Sequence, residues 1–151
     1  MKRFTDTWRR FLAQPPPRRL LALEALAWLL AARLAARCCP SRRIAAWASR
    51  APHRAPPDAA ARERLDADVA WAVEAVAARL PGTVCLPRAL AAQAMLRRRG
   101  VATTLYFGAL RVPAGALGGH VWLQDGARGI VGHQAARDCH VLAAYPAEAG
   151  A

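Results

Sequence analysis

PGTVCLPRALAAQAMLRRRGVATTLYF, residues 81–107, is the stretch on which the reading of this chain turns. Pro81-Gly82 makes a turn, Thr83 is a candidate cap, and a helix follows over roughly Val84 to Arg99. Pro87 is tolerated there because first-turn backbone donors have no partners to lose. Gly100 closes the helix, and Thr103-Thr104-Leu105-Tyr106-Phe107 then has the β-branched and aromatic composition of a strand. A helical half therefore hands over to a sheet.

Upstream, Pro15-Pro16-Pro17 separates residues 1–17, read as an N-terminal arm, from a body starting near Arg18. From there to Arg37 the residues Leu23, Leu26, Ala27, Leu30 and Leu34 recur at helical spacing, and Leu21, Trp28 and Leu29 broaden the stripe. Such a helix is buried on several sides or docks a partner, and Leu21, Trp28 and Leu29 are the residues to test. Pro40 ends it and Ser41 can cap a second helix through Ile44 and Trp47. Asp58 caps a third over about Ala59 to Leu80, with Leu65, Val69, Val73, Val76 and Leu80 inward and Arg62, Glu63, Asp66, Glu74 and Arg79 toward solvent. Downstream, Ala109–Val112, His120–Gln124 and Gly129–Gly132 also have strand composition. The expected class is α+β, N-terminal helices followed by an antiparallel sheet. Residues 18–151 form one domain, with 18–80 helical and 81–147 holding the key helix and sheet.

The 151 residues suit one domain and one active centre. The formal charge of +12 comes from arginines spread along the chain, with Lys2 the only lysine, and no nucleic-acid recognition motif accompanies them. Nucleic acid is therefore not expected as a partner, whereas an acidic peptide or peripheral contact with an anionic membrane fits such a surface. Cys38, Cys39, Cys85 and Cys139 make an awkward disulfide framework and show no metal-ligand spacing with His53, His120, His133 or His140. No metal and no cofactor is expected. The apolar run Leu20–Ala36 carries Glu24 and Arg33 and falls short of the about 20 residues a span needs. With no signal peptide visible, the expected location is cytoplasmic.

Cys85 is the chemically distinctive residue. A cysteine in a helix's first turn meets unpaired backbone donors and the positive end of the helix dipole, which favour thiolate over thiol. Its own N–H can hold an oxyanion during acyl transfer. His120 follows Gly118-Gly119 and opens the strand His120-Val121-Trp122-Leu123. A strand-edge imidazole packed near the helix start is a sound general base. Gln93, Arg88 and Trp122 are weaker candidates for a cleft. Arg88 reads better as a solvated arginine and Trp122 as a core aromatic. Trp8, Trp28, Trp47 and Trp71 are expected to pack the helical layer.

The segments Arg19-Leu20-Leu21-Ala22-Leu23-Glu24-Ala25, Cys85-Leu86-Pro87-Arg88-Ala89-Leu90 with Leu96-Arg97-Arg98-Arg99-Gly100-Val101, and Gly119-His120-Val121-Trp122-Leu123 together resemble the cysteine peptidases of lasso peptide biosynthesis. These microcin-processing enzymes remove a leader from a precursor and are similar to transglutaminases in fold. The resemblance implies a transglutaminase-like (papain-like) catalytic helix and sheet, Cys85 as nucleophile and His120 as base. It also implies an acidic residue on the next strand, a precursor peptide as substrate, a separate leader-recognition protein, and the ring-closing cyclase as a further partner.

The third catalytic position departs from that pattern. If Asp125-Gly126-Ala127-Arg128 is the hairpin turn, Gln124 faces Gly129 and, counting outward, His120 faces His133. Asp125 then lies about 16 Å from His120, at roughly 3.3 Å per residue, and reads as a turn former. The remaining orienting groups are His133, a backbone carbonyl, or Asp138 from the following segment, with His133 ranked above Asp138. Two other functions use the same features: acyl transfer to an amine, and a catalytically silent peptide-binding or membrane-associated accessory role in which Cys85 is core.

Overall fold

The computed structural model describes residues 16–111 and 117–147. Trp8 and all of the 1–17 arm except Pro16 and Pro17 lie outside the described residues. Among the described residues four helices, α1 (Pro16–Cys38), α2 (Ser41–Ala48), α3 (Ala59–Ala77) and α4 (Cys85–Arg97), precede four strands. These are β1 (Thr104–Arg111), β2 (Leu117–Asp125), β3 (Arg128–Val131) and β4 (His140–Pro146), with a single 3₁₀ turn at Ala135–Asp138 before the last. The strands form one antiparallel sheet in the order β3-β2-β1-β4. The expected α+β succession stands.

Helix α4 is the axis of the core. Pro87 and every residue from Ala89 to Arg97 are buried, so the helix is covered on nearly all sides. Its alanines let α1 and α3 approach closely, while Leu90, Met95 and Leu96 supply apolar volume. Full burial of each such large side chain is worth about 1.5–3 kcal/mol. Against it lies one face of the sheet, Leu105, Val121, Leu123 and Phe107, joined by Ile130 and Val131. Because strand side chains alternate, His120 and Trp122 belong to the opposite face.

Helix α1 buries mainly small residues. Its core face is Ala22, Ala25, Leu29 and Ala32, whereas Leu23, Leu30 and Leu34 of the expected stripe stand exposed. Leu29 is fully buried, and Leu21 and Trp28, both half-buried, pack against the core. Small residues win the inner positions because α4 and α3 lie so close. Trp47 and Trp71 join Trp28 in packing the helical layer.

The caps are mixed. Asp58 caps α3, accepting a hydrogen bond from the Ala61 N–H at 2.8 Å. Pro40 rather than Ser41 is the N-cap of α2, and Val84 rather than Thr83 that of α4. Thr83 instead donates its hydroxyl to the Leu80 carbonyl.

Asp66, expected in solvent, is 2% exposed. Its Oδ2 accepts from Arg128 at 2.8 Å. Asp125 is likewise no mere turn former: its carboxylate takes two hydrogen bonds from Arg62. These pairs tie α3 to the β2–β3 hairpin. Burial pushes the Asp66 carboxyl above the usual carboxylate range, Arg128 pulls it back, and the neighbouring Asp125 carboxylate pushes it up again.

In the sheet, the two strand segments expected on either side of Gly108 are one continuous β1. Strand β4 was not foreseen; its half-apolar sequence beside His140 and two alanines carries no clean alternation. The hairpin begins as expected, with Asp125 opposite Arg128 and Gln124 opposite Gly129. A bulge then places Leu123 opposite Val131, shifting the register by one residue. The pairing of His120 with His133 therefore does not occur.

Candidate active site

Cys85 is the first residue of α4, directly after the extended N-cap Val84. Valine has no hydrogen-bonding side chain, so no side-chain cap competes for the first-turn N–H groups of α4. The thiol side of this turn opens on a cleft of about 350 Å³. Thr83, Val84, Cys85 and Arg88 form one wall, and His120, Val121, Val131 and Gly132 the other, with Glu74 of α3 at the margin. Sequence reasoning paired Cys85 and His120, and the fold brings both to this one cleft. Among the described residues no hydrogen bond joins the thiol directly to the imidazole, and the cleft stands between them.

His120 is placed by three neighbours. Strand β3 ends at Val131, leaving the edge of β2 open beside His120. The imidazole turns across that edge, and its Nε2 lies 2.8 Å from the Gly132 carbonyl oxygen. A carbonyl only accepts, so this bond requires the proton on Nε2 and leaves the lone pair on Nδ1. On the sheet face, the Trp122 ring lies beside the imidazole with centroids 6.0 Å apart and an interplanar angle of 15°. Trp122 is in turn stacked on Tyr106 at 5.4 Å. This row needs the bare backbone of Gly108, which pairs with His120: a Cβ there would stand 2.7 Å from the Trp122 ring.

The group on His120 Nε2 is thus the backbone carbonyl among the three alternatives, and neither His133 nor Asp138. His133 folds back on its own strand, its ring filling the space over Gly129. Asp138 ends the short 3₁₀ turn and is exposed. Strand β3 ends at Val131, and Gly132, at φ +75°, turns the chain so that its carbonyl meets Nε2 while His133 folds back over Gly129.

Arg88 differs from its reading as a solvated arginine. It lines the cleft, its guanidinium 3.3 Å from the Glu74 carboxylate, and its buried Nε has no hydrogen-bond partner. Gln93 turns away from the cleft and donates to the Ala48 carbonyl at 3.1 Å within the core. Trp122 is buried as a core aromatic should be, and also positions His120. From sequence Glu74 reads as solvent-facing, and Gly132 as a position opposite His120 that offers no carboxylate. Nothing local marks Glu74, and Gly132 carried only the weak signal of a glycine ending an apolar strand.

Cys38, Cys39, Cys85 and Cys139 are all free thiols. Burial, then the nearby Asp138 carboxylate, pushes the Cys139 thiol above its ordinary range, the opposite of the shift that favours a thiolate. Among the described residues no group of three His, Cys, Asp or Glu side chains is arranged to hold a metal ion, and no helix is long and apolar enough to cross a membrane.

Comparison with protein families finds a match to the model described as the transglutaminase-like superfamily, over residues 26–143. The match takes in α4, the cleft and nearly the whole sheet. Neither the curated proteins nor the solved structures gave a significant match.

Proposed function

The chain belongs to the transglutaminase-like superfamily, which includes cysteine peptidases and acyltransferases, and we propose that it is a cysteine peptidase removing the leader from a lasso-type precursor peptide. The observation that carries the catalytic part is the shared cleft, with Cys85 on the first turn of α4 and an imidazole held through Nε2 on the facing wall. The leader-peptidase part rests on the motifs Cys85-Leu86-Pro87-Arg88-Ala89-Leu90 and Gly119-His120-Val121-Trp122-Leu123. A separate leader-recognition protein and the ring-closing cyclase are the partners this reading entails, and the free thiols suit a reducing cytoplasm.

In the proposed reaction the Cys85 thiol passes its proton to His120 Nδ1 as Sγ attacks the scissile carbonyl carbon. The carbonyl oxygen takes the electron pair and is held by first-turn N–H groups of α4, that of Cys85 among them. The imidazolium returns the proton to the leaving amine, the C–N bond breaks, and a thioester remains on Cys85. Water, deprotonated by the same Nδ1, hydrolyses that thioester and frees the thiol. Throughout, the Gly132 carbonyl keeps Nε2 protonated and steadies the positive charge on the ring. A backbone carbonyl does this without a full negative charge, so His120 works without the carboxylate that usually fills this place.

The test is intact-mass analysis of a lasso-type precursor incubated with this protein and its recognition partner. A single cut by wild type, absent in Cys85→Ala and in His120→Ala, is the expected result. A mass increase matching an added amine assigns acyl transfer instead. Cleavage unchanged in Cys85→Ala refutes the proposal.

A further inference from the structure

Helix α1 turns toward solvent the residues that a helix ordinarily buries. Leu20, Leu23, Leu30 and Leu34 are 68%, 53%, 51% and 64% exposed. With exposed Ala27 they recur at intervals of three, four, three and four residues, the spacing of a coiled-coil seam, over about 21 Å of helix. Beside the seam, α1 and α2 enclose an apolar groove of about 470 Å³. Trp28, Ile44, Trp47 and Leu90 line it. Ala31 belongs to both features, being one of the groove's residues and the helical neighbour of Ala27 and Leu34. Seam and groove are one continuous apolar surface.

The polar lining of the groove has a single sign. Arg43 and Arg50 line the groove, and no carboxylate does. Behind Trp47 lies Arg97, only 5% exposed, its guanidinium 3.9 Å over the indole and bonded to the Trp47 carbonyl rather than to an acid. Burial, then the charge of Arg50, holds Arg97 below the usual arginine range. Arg37 lies one turn beyond Arg33 and Leu34 on the exposed side of α1. The cationic end of this surface thus lacks a counter-charge within its own lining.

We propose that this face docks an acidic amphipathic helix of a partner protein, its apolar side chains entering the Leu20–Leu34 seam and the groove and its carboxylates meeting Arg43 and Arg50. Three observations select that occupant. The narrow 3-4 seam is cut for another helix, whereas a helix lying in a lipid surface presents a broad apolar face. The concave groove accepts individual anchoring side chains, the helix-in-groove mode of recognition. A second copy of this chain, itself at +12, would set arginine against arginine. The inference stands on α1 and α2 alone and is independent of the peptidase reading.

The probe is a synthetic three-heptad peptide with leucine at the seam spacing and glutamate on its flanks, compared with the same peptide carrying lysine instead. Binding to the full chain is read by Trp fluorescence and anisotropy. The acidic peptide alone should bind. Leu30→Glu with Leu34→Glu should weaken it at least about tenfold, and Arg43→Gln with Arg50→Gln should weaken it several-fold and flatten its salt dependence. All four side chains point to solvent or line the groove rim, so circular dichroism should show intact variants; should the leucine pair unfold, the arginine pair carries the test. No binding, or equal binding of both peptides, overturns the proposal. So does sedimentation showing a dimer that the leucine pair abolishes, which assigns the face to a second copy. Phosphatidylglycerol vesicles binding in place of the peptide, with loss in the same variant, assign it to lipid and overturn the proposal too.

Discussion

Replacing Gly132 by alanine isolates the contribution of the carbonyl that holds His120. Gly132 has φ +75°, in the left-handed region where an L side chain costs about 1–2 kcal/mol. Its new Cβ would stand 3.0 Å from the Val121 carbonyl, 3.2 Å from Trp122 Cβ and 3.3 Å from His120 Nε2. The first of these neighbours is backbone of the central β2 and yields little, so the turn carrying the Gly132 carbonyl must move. Displacing an anchor by about 1 Å can cost on the order of 10²-fold in rate. The strain alone should lower the melting temperature by roughly 2–8 °C for a domain of this size. Gly126→Ala is the matched control: φ there is +55°, and nothing lies within 4 Å of the added Cβ. It should carry a comparable backbone cost with no loss of rate. The assay is single-turnover cleavage of the precursor by intact mass, with thermal melting of each variant. The expected split is a rate loss near a hundredfold in Gly132→Ala and none in Gly126→Ala. Equal rates in the two variants would refute the claim that Gly132 positions the imidazole.

Asp125→Ala removes a 9%-exposed carboxylate from Arg62, which keeps partial access to water, so urea unfolding should show a loss of about 1–3 kcal/mol. The double variant with Arg62→Ala should lose less than the sum of the single changes; strict additivity would show that the pair is not coupled. For Asp66 the sign follows from its raised carboxyl. Such a group contributes stability below its unfolded value, about 3.9, and loses it as pH rises through the folded value. Asp66→Asn should therefore gain on wild type as unfolding is measured from pH 4 to pH 7, and parallel stability curves would contradict this. Glu24 runs the other way, because hydrogen bonds from Arg99 hold its carboxyl below the usual range against the opposing effect of burial. Wild type should exceed Glu24→Gln by at most about 1 kcal/mol near neutrality, and the difference should vanish as pH falls through the lowered Glu24 value.

What the sequence determined by itself is what neighbouring residues decide among themselves. Pro81-Gly82, a first-turn Pro87 and the run to Arg97 place Cys85 at a helix start, and Asp58 caps α3, because turns and caps depend on atoms a few bonds apart. The succession of helices and strands, and the nomination of Cys85 with His120, came from such local signals and from motif resemblance. Only the tertiary structure decided which face of α1 is buried, since alanines and leucines compete for the inside and the closeness of α4 settles it for alanine. It likewise decided that Asp66 and Asp125 are held by arginines about 60 residues away in sequence, at separations of 62 and 63. The hairpin shows the boundary most clearly. Its turn was legible from Asp125-Gly126, but the bulge that sets Val131 rather than Ile130 opposite Leu123 was not, nor was the left-handed turn at Gly132 that brings its carbonyl to the imidazole. Strand register is set by which side chains the helices beneath can bury, a property of the assembled core and not of the strand.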